Sequence, residues 1–301
     1  MNELLHRLRR NYQLYLLFLP VLIYFVIFHY WPMYGLQIAF KEYSAIRGIG
    51  GSPWTGWTHF ERFYQSSQFW IIIKNTVLIN VYELLVAFPI PILFALLLNQ
   101  IGNERFKKTV QTITYAPHFI SIVVVVGMLH IFLSPRTGML NHLLVLFGAE
   151  PVFFMGSEGW FKSIFVFSGV WQNMGWSSIV YVAALSGVNP DMHEAAVMDG
   201  ASKLQRIMRI DLPSIQPIIV ILLIMNIGSF MSVGFEKIYL MQNALNLDAS
   251  EVIQTYVYKT GLLGAQFSYS TAIGLVNAVI NFMLLAAVNQ VAKKYKQTSL
   301  W

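Results

Sequence analysis

The sequence predicts an all-α integral membrane protein with six transmembrane helices, on the evidence of its composition and its long apolar segments. Of the 301 residues, 56% are hydrophobic and only 11% are charged, whereas an average soluble domain carries about 25% charged residues. So few charges cannot cover the surface of a soluble protein of this size. An aromatic content of 15% is also the opposite of what disordered chains show. The composition therefore favours the bilayer as solvent.

Six apolar segments are long enough to cross a bilayer, which takes about 20 mostly apolar residues. The first has no Lys, Arg, Asp or Glu from Asn11 to Phe40. It is too long for a signal peptide and no cleavage site follows it, so we predict a retained helix. The second contains Glu83, and Pro89 and Pro91 are expected to bend or loosen it. The six predicted spans cover about 12–40, 76–98, 113–133, 163–185, 215–233 and 271–292.

Basic residues are divided unevenly between the two sets of segments that the predicted spans separate. The N-terminus, the loops 99–111 and 187–214 and the tail 292–301 together hold 12 Lys and Arg in 62 residues, and the remaining loops hold 8 in 98. Because cytoplasmic loops carry the excess of Lys and Arg, both termini are predicted to be cytoplasmic. The basic tail suits anionic membrane lipids. A nucleic-acid partner is excluded, because the basic residues lie on both sides of the membrane rather than along one face.

Several kinds of chemistry lack the residues that they need. The chain has no cysteine, which removes disulfides, thiol catalysis and cysteine-bound metals. It contains no G-x-x-x-x-G-K-[ST] phosphate-binding motif, and its seven histidines form no H-E-x-x-H metal motif. We therefore predict no catalytic site, no metal and no cofactor in this chain. If the protein uses ATP, another chain must bind it.

Polar and aromatic residues in or beside the predicted spans are candidates for a path through the membrane, because polar groups are costly in hydrocarbon. Amides supply donors and acceptors for hydroxyl groups, and aromatic rings offer flat apolar faces, which together suit an oligosaccharide. Hydrogen bonding between helices explains the same residues without a substrate, and both interpretations stay open. The candidate substrate path consists of Asn80, Glu83, Trp171, Gln172, Asn173, Trp176, Asn226, Asn277 and Asn281.

The most polar cytoplasmic segment, 187–217, predicts two short helices joined by a sharp turn. Asn189 is a favourable N-cap and is followed by a proline at the first helical position. Gly200 tolerates the positive φ of a helix end. Asp199 is expected to cap the second helix, and Pro213 is expected to end it. A rigid protrusion of this kind suits docking into a partner's groove better than it suits catalysis.

This segment resembles the signature loop of the permease subunits of binding-protein-dependent ABC importers. The pattern is E-A-A-x-x-D-G-A, then five residues, an apolar position and x-x-I-x-L-P, with a further proline four residues on. The apolar position is usually Phe in that family and is Ile207 here. The matching residues are Glu194, Ala195, Ala196, Asp199, Gly200, Ala201, Ile207, Ile210, Leu212, Pro213 and Pro217.

The resemblance extends over nearly the whole chain and narrows the family to LplB-type permeases. These form the polysaccharide or complex-oligosaccharide branch of the MalF-like carbohydrate importers. The resemblance implies a single transmembrane permease domain over 1–301 with the type I, MetI-like fold, both termini inside and a cytoplasmic coupling helix. The similar segments are FHYWPMYGLQIAF (28–40), SPWTGWTHFERF (52–63), GFEKIYLMQN (234–243), TYVYKTGL (255–262) and the closing SLW.

The resemblance also implies a complex in the plasma membrane of a bacterium. This chain would pair with a second, related permease subunit, two ATPase subunits that bind ATP and Mg, and an extracellular solute-binding protein that delivers an oligosaccharide. Glu194 would contact an ATPase subunit and Gly200 would supply the joint of the loop, so that closure of the ATPases drives alternating access. The expected ATPase-coupling residues are Glu194, Ala195, Ala196, Asp199, Gly200, Ala201, Leu212 and Pro213.

Three alternatives stay open at this point. One is an importer permease of the same family for a non-carbohydrate solute, because no residue here identifies a particular glycan. Another is a channel or an ion-coupled secondary carrier, for which uptake would survive ATP depletion and follow an ion gradient. The third is an integral-membrane enzyme, which would need a convergent set of catalytic residues that the sequence does not show.

Overall fold

The computed structural model describes residues 10–232 and 234–294, and it is helical throughout apart from turns, loops and one isolated bridge. The all-α prediction is therefore confirmed for these residues. The basic N-terminal segment, Val233 at the end of the fifth predicted span, Lys296 and the closing SLW lie outside the described residues.

The backbone groups into two compact units. The first consists of the described residues up to Ser66 together with Val257–Val276. The second consists of the described residues of Ser67–Tyr256 together with those from Asn277 onward. The single permease domain expected over 1–301 stays a prediction.

In the first unit, one long helical stretch precedes a compact loop. Helix α1, Tyr12–Phe25, continues as a π-helical segment, Val26–Tyr30, and then as a 3₁₀ helix, Trp31–Phe40. After the loop, α2 covers Thr58–Tyr64. Every residue of α1 is at least partly exposed, as expected for a helix whose apolar surface meets lipid rather than protein.

Lys41 holds the loop between these helices together. Its side chain is 4% exposed, its Nζ donates to the carbonyl of Ile49 at 2.7 Å, and the same Nζ lies 4.7 Å from the centre of the Trp54 ring. The ring Nε2 of buried His59 lies 3.1 Å from the carbonyl oxygen of Lys41. A buried ammonium group is stable here because a carbonyl and an aromatic face replace its water.

The main helices of the described residues after Ser66 are α3 to α14. The first six are α3 Gln68–Val86, α4 Pro89–Asn99, α5 Glu104–Tyr115, α6 Ile122–Phe132, α7 Met139–Leu146 and α8 Glu158–Leu185. The others are α9 Pro190–Met198, α10 Lys203–Arg206, α11 Leu212–Gly228, α12 Phe235–Met241, α13 Ile253–Tyr258 and α14 Phe267–Lys294. Shorter helical turns lie at Gly48–Gly51, Ala116–Phe119, Phe154–Gly156, Ile207–Asp211, Leu247–Ser250 and Lys259–Leu263.

Four helical stretches in the described part of the chain are long and apolar enough to span a membrane, and a fifth is present if one bent pair counts as one span. Helix α8 has 28 residues but is not among these stretches. Several membrane-spanning helices are thus established, whereas the predicted count of six is not. The four stretches are Tyr12–Phe40, Gln68–Asn99, Lys203–Gly228 and Phe267–Lys294.

Prolines explain where the predicted spans and the observed helices differ. The second predicted span is interrupted before its prolines, because α3 ends at Val86 and α4 begins at Pro89. The third predicted span, 113–133, is not one straight helix. Its two halves meet at 99°, because Pro117 lies in a 3₁₀ turn and Ser121 caps a new helix by accepting from the backbone N–H of Val124.

Two groups of buried apolar side chains hold the second unit together, and α8 contributes to both. The first core cluster contains Phe161, Phe165 and Val166 of α8, together with Ile79, Val126, Met155, Ile238, Met241 and Val252. The second core cluster contains Tyr181 and Leu185 of α8, together with Ile92, Ala95, Leu96 and Ile215. The part of α8 between the two clusters is free to line a cavity.

Candidate functional site: a polar cavity and an exposed helical loop

A cavity of about 490 Å³ lies along α8 between the two core clusters. Helices α3, α4, α8 and α11 and the segment after α11 form its walls. Its size falls within the range of ligand-binding pockets, about 300–1,000 Å³. The polar residues that line it are Asn80, Glu83, Asn173, Ser177, Asn226, Ser229 and Ser232.

Three asparagines give the cavity its hydrogen-bonding character. Asn80, Asn173 and Asn226 each donate their Nδ2 to a backbone carbonyl four residues earlier in their own helix, at 2.6, 3.1 and 2.8 Å. The Oδ1 of Asn173 lies 2.9 Å from Nδ1 of His118. The Oδ1 atoms of Asn80 and Asn226 have no hydrogen-bond partner among the described residues. Those oxygens are therefore available as acceptors for hydroxyl groups.

Glu83 is the charged residue among the described residues that line the cavity. Behind the wall, Lys237 of α12 is 7% exposed, and its Nζ donates to the carbonyl of Phe165 at 2.7 Å and lies 4.8 Å from the centre of that ring. Burial lowers the pKa of Lys237 to about 8, and the negative charge of Glu83 acts in the opposite direction. A buried cation thus partly offsets the carboxylate of the cavity.

The three remaining candidates on α8 lie on other faces of that helix. Gln172 is buried, and its Nε2 donates to the carbonyl of Ile120 at 2.9 Å. The ring of Trp176 stacks on His118 with centroids 4.5 Å apart and planes inclined by 4°. Trp171 is 45% exposed and does not line the cavity. Gln172 therefore holds α8 to the segment between the turn Ala116–Phe119 and α6.

The candidates on α14 also lie outside the cavity lining. Asn281 accepts a hydrogen bond from the backbone N–H of Met231 at 2.8 Å and donates to the hydroxyl of Ser232 at 3.3 Å. The Oδ1 of Asn277 is buried and accepts no hydrogen bond from the described residues. Asn281 thus fixes the segment after α11, where Ser232 lines the cavity, and so supports the cavity from behind.

Sequence reasoning missed the serines and Tyr181 in the lining. A signal for Ser177 was present, because it follows Asn173 by four residues and side chains four apart share a helix face. Ser229 and Ser232 follow the end of α11 at Gly228. Their position depends on the backbone path after the helix, so no periodicity in the sequence indicates it.

The loop 187–217 forms the two predicted short helices. Asn189 caps α9 by accepting from the backbone N–H of Asp191 at 3.0 Å. At the other end, Gly200 has a φ of +77°. Its N–H bonds to the carbonyl of Val197 at 3.0 Å, and the next N–H reaches the carbonyl of Ala196 at 2.8 Å, which is the hydrogen-bond pattern of a Schellman motif. The predictions for Asn189 and Gly200 are confirmed.

Two other predictions for this loop are wrong. Ser202, rather than Asp199, caps α10, and it forms a reciprocal capping box with Gln205. Pro213 does not end the second helix, because α10 continues through the π-helical segment Ile207–Asp211 into α11. The wider π turn moves the preceding carbonyl away from the position where it would clash with a proline ring.

The expected coupling residues lie on or near the surface of the loop. Leu212 packs against the second core cluster and thereby anchors the end of the loop to the helices that wall the cavity. Glu194, Ala195, Asp199, Gly200 and Pro213 are exposed, and Ala196, Ala201 and Leu212 are half-buried.

Apolar helices that enclose a polar cavity, beside an exposed helix that projects from them, define a membrane transport subunit. The chain belongs to the family described as binding-protein-dependent transport system inner membrane component, which matches residues 76–297. It is therefore a multi-pass protein of the bacterial plasma membrane and a permease of the ABC-transporter class.

Relatives within this family match the chain over nearly its full length. The polygalacturonan/rhamnogalacturonan transport system permease YteP of Bacillus subtilis is 43% identical over 100% of this chain and 94% of its own. Protein LplB of the same organism is 40% identical over 98% of this chain and 92% of its own. A chain of a solved bacterial alginate ABC transporter, in complex with an alginate pentasaccharide-bound periplasmic protein, is 41% identical in sequence and has a TM-score of 0.91. The match covers 98% of this chain and 99% of the solved one. The resemblance to LplB-type permeases is confirmed.

Proposed function

We propose that this chain is the transmembrane permease subunit of an ATP-driven importer that takes up oligosaccharides delivered by an extracellular solute-binding protein. The observation that carries this proposal is the exposed helix α9, which presents Glu194 at the surface while the same loop runs directly into α11 of the cavity wall. The relatives that transport polygalacturonan, rhamnogalacturonan or alginate support a sugar substrate.

The proposed complex contains a second permease subunit, two ATPase subunits that bind ATP and Mg, and the solute-binding protein. We propose six spans with both termini in the cytoplasm, and the distribution of basic residues supports this orientation. In this arrangement α8 is the fourth span, and the bent pair of α5 and α6 supplies the third. The loop around α9 then faces the cytoplasm, where the ATPase subunits bind.

The coupling step is proposed to occur at the exposed residues of α9. Glu194 binds the ATPase subunit, Ala195 and Ala196 allow close approach, and the joint at Gly200 keeps the two short helices at a fixed angle. Closure of the ATPases draws the loop inward and opens the cavity to the outside, and hydrolysis returns it. The chain itself supplies no catalytic residue to this cycle.

The substrate path is proposed to pass through the cavity along α8. The free Oδ1 atoms of Asn80 and Asn226 accept hydrogen bonds from sugar hydroxyls, and the hydroxyls of Ser177 and Ser232 add donors. The hydroxyl of Ser229 already donates to the carbonyl of Asn226 at 3.1 Å, so its oxygen adds a further acceptor. Hydroxyl-rich ligands need many weak polar contacts of this kind. A non-carbohydrate solute is the alternative that the substrate panel below distinguishes.

The test reconstitutes this chain with its partner subunits in liposomes and measures ATP hydrolysis with and without the binding protein and a panel of oligosaccharides. Glu194→Ala should lower the stimulated rate at least about tenfold, because a hydrogen bond to a charged group contributes about 1.5–3 kcal/mol. Glu150→Ala, which removes an exposed carboxylate far from α9 in sequence, is the matched control. A rate of ATP hydrolysis that the binding protein and the sugars leave unchanged would contradict the proposal. So would sugar uptake that continues after ATP depletion.

A further inference from the structure

The carboxylate of Asp211 is a fully buried acidic group at the base of the exposed loop. Its side chain is 0% exposed, and it is the last residue of the π-helical segment that leads into α11. An acidic side chain is rarely buried in this way without a partner of opposite charge or a hydrogen-bond donor, because loss of its water is costly. Its partners therefore indicate what the group does.

Two side chains from distant parts of the sequence converge on this carboxylate. Gln100, directly after the end of α4, donates its Nε2 to Oδ2 of Asp211 at 3.0 Å. His193, in the middle of α9, places its Nε2 3.2 Å from Oδ1. Within the described residues, Oδ1 accepts no aligned hydrogen bond, so the His193 ring at 3.2 Å is the polar side chain placed to serve it. One buried carboxylate thus joins α9 to the ends of α4 and α11.

The two helices held in this way are walls of the cavity. Pro91 of α4 and Leu222 and Asn226 of α11 line it. A displacement of α9 that left α4 and α11 in place would pull His193 away from a carboxylate with no access to water. Removal of the nearest polar partner from a carboxylate oxygen that water does not reach is unfavourable, so the three helix ends move together.

We propose that His193, Asp211 and Gln100 form a brace that transmits displacement of α9 to the cavity helices α4 and α11. The inference rests on the proposed function, in which α9 is the helix that the ATPase subunits move. His193 and Gln100 are positioning residues: they contact neither substrate nor nucleotide. Without the brace, the ATPase subunits still bind the exposed Glu194 and hydrolyse ATP, but the motion of α9 no longer opens the cavity.

The first test compares hydrolysis with uptake in the same liposomes that contain the complete importer. His193→Ala should keep binding-protein-stimulated hydrolysis within twofold of the wild type while sugar uptake per ATP falls at least tenfold. His193→Gln should restore uptake, because the terminal amide nitrogen of Gln occupies the position of the imidazole Nε2. His130→Ala, which removes an exposed histidine of α6, is the matched control and should leave both rates unchanged.

The outcomes separate this inference from the proposed function. Unchanged uptake per ATP in His193→Ala would overturn the brace. A parallel loss of hydrolysis, uptake and melting temperature would also overturn it, since the residue would then serve folding alone. A wild-type importer that shows no stimulated hydrolysis would instead overturn the proposed function, and the brace with it.

A second test follows the helices directly and needs no transport assay. Because the chain contains no cysteine, Asp191→Cys in α9 and Leu97→Cys in α4 provide two unique sites for spin labels; both positions are exposed. With His193 present, the distance between the labels should stay the same with and without nucleotide. With His193→Ala it should change between these states. A distance that changes equally in both backgrounds contradicts the brace.

Discussion

The exposed loop around α9 and the cavity along α8 place their functional residues by different means. In the loop, neighbouring residues set the structure: Asn189 starts α9, and Gly200 ends it with a φ of +77°. In the cavity, Asn80, Asn173 and Asn226 come from three helices far apart in sequence. The loop therefore depends on local backbone conformation, whereas the cavity depends on how closely separate helices pack.

Two glycines make this difference testable. Gly200 has open space around the position that a Cβ would occupy but has a positive φ, whereas Gly175 has an ordinary φ and no space. Glycine is required at position 200 because of the backbone conformation there, and at position 175 because two helices approach each other closely. Substitutions at the two positions should therefore respond to different properties of the new side chain.

The largest effect is expected at Gly175, where α8 passes close to α5. A Cβ there would lie 2.6 Å from the carbonyl carbon of Thr114 and would collide with its oxygen. Gly175→Ala should therefore destabilise the protein by about 3 kcal/mol, the upper end of the cost of overpacking. Thermal unfolding in detergent measures this. Gly127→Ala in α6, where no atom lies within 4 Å of the new Cβ, is the control, and equal melting temperatures for both variants would contradict the close approach.

A smaller effect is expected at Gly200, where a side chain would strain the backbone without colliding with a neighbouring helix. Gly200→Val should cost about 1–2 kcal/mol, because a side chain at positive φ crowds the following carbonyl. Gly200→Asn should stay near the wild type, since Asn tolerates this conformation. Binding-protein-stimulated ATP hydrolysis and the melting temperature should both fall for Val and not for Asn. Equal behaviour of the two variants would show that conformation is not what this position requires.

The smallest effect is expected from removal of one hydrogen-bonding group in the cavity. Asn226→Ala should reduce uptake at low sugar concentration about fivefold, which corresponds to the roughly 1 kcal/mol that one hydrogen bond contributes. Gln290→Ala, which removes an exposed amide of α14, should have no effect. Unchanged uptake of every oligosaccharide in the panel would remove Asn226 from the proposed path.

Local signals in the sequence predicted several features of the fold because they act over a few residues. The break before Pro89, the cap at Asn189 and the positive φ at Gly200 each follow from the geometry of one turn. The same reasoning failed at Pro213, because a π turn absorbed the proline and let the helix continue. It also failed at Asp199, because Ser202 offered a better cap with its reciprocal partner Gln205.

The candidate site was less predictable, because residues of the same type occur on every face of a membrane helix. Asn173 and Gln172 are neighbours in α8, yet one lines the cavity and the other is buried against the carbonyl of Ile120. The lipid-facing side and the protein-facing side of such a helix both lie in apolar surroundings. The hydrophobic periodicity that separates inside from outside in soluble proteins is therefore weak here.

The sequence by itself determined that this protein is helical and membrane-spanning, and the spacing of the motif residues within 187–217 already pointed to the permease family. Those properties depend on composition, on apolar length and on residues close together in the chain. Only the tertiary structure decided which amides share the cavity, and that Asp211 binds both Gln100 and His193. Gln100 and Asp211, for example, lie 111 positions apart. Their contact depends on helix rotation and packing, which no local signal in the chain specifies.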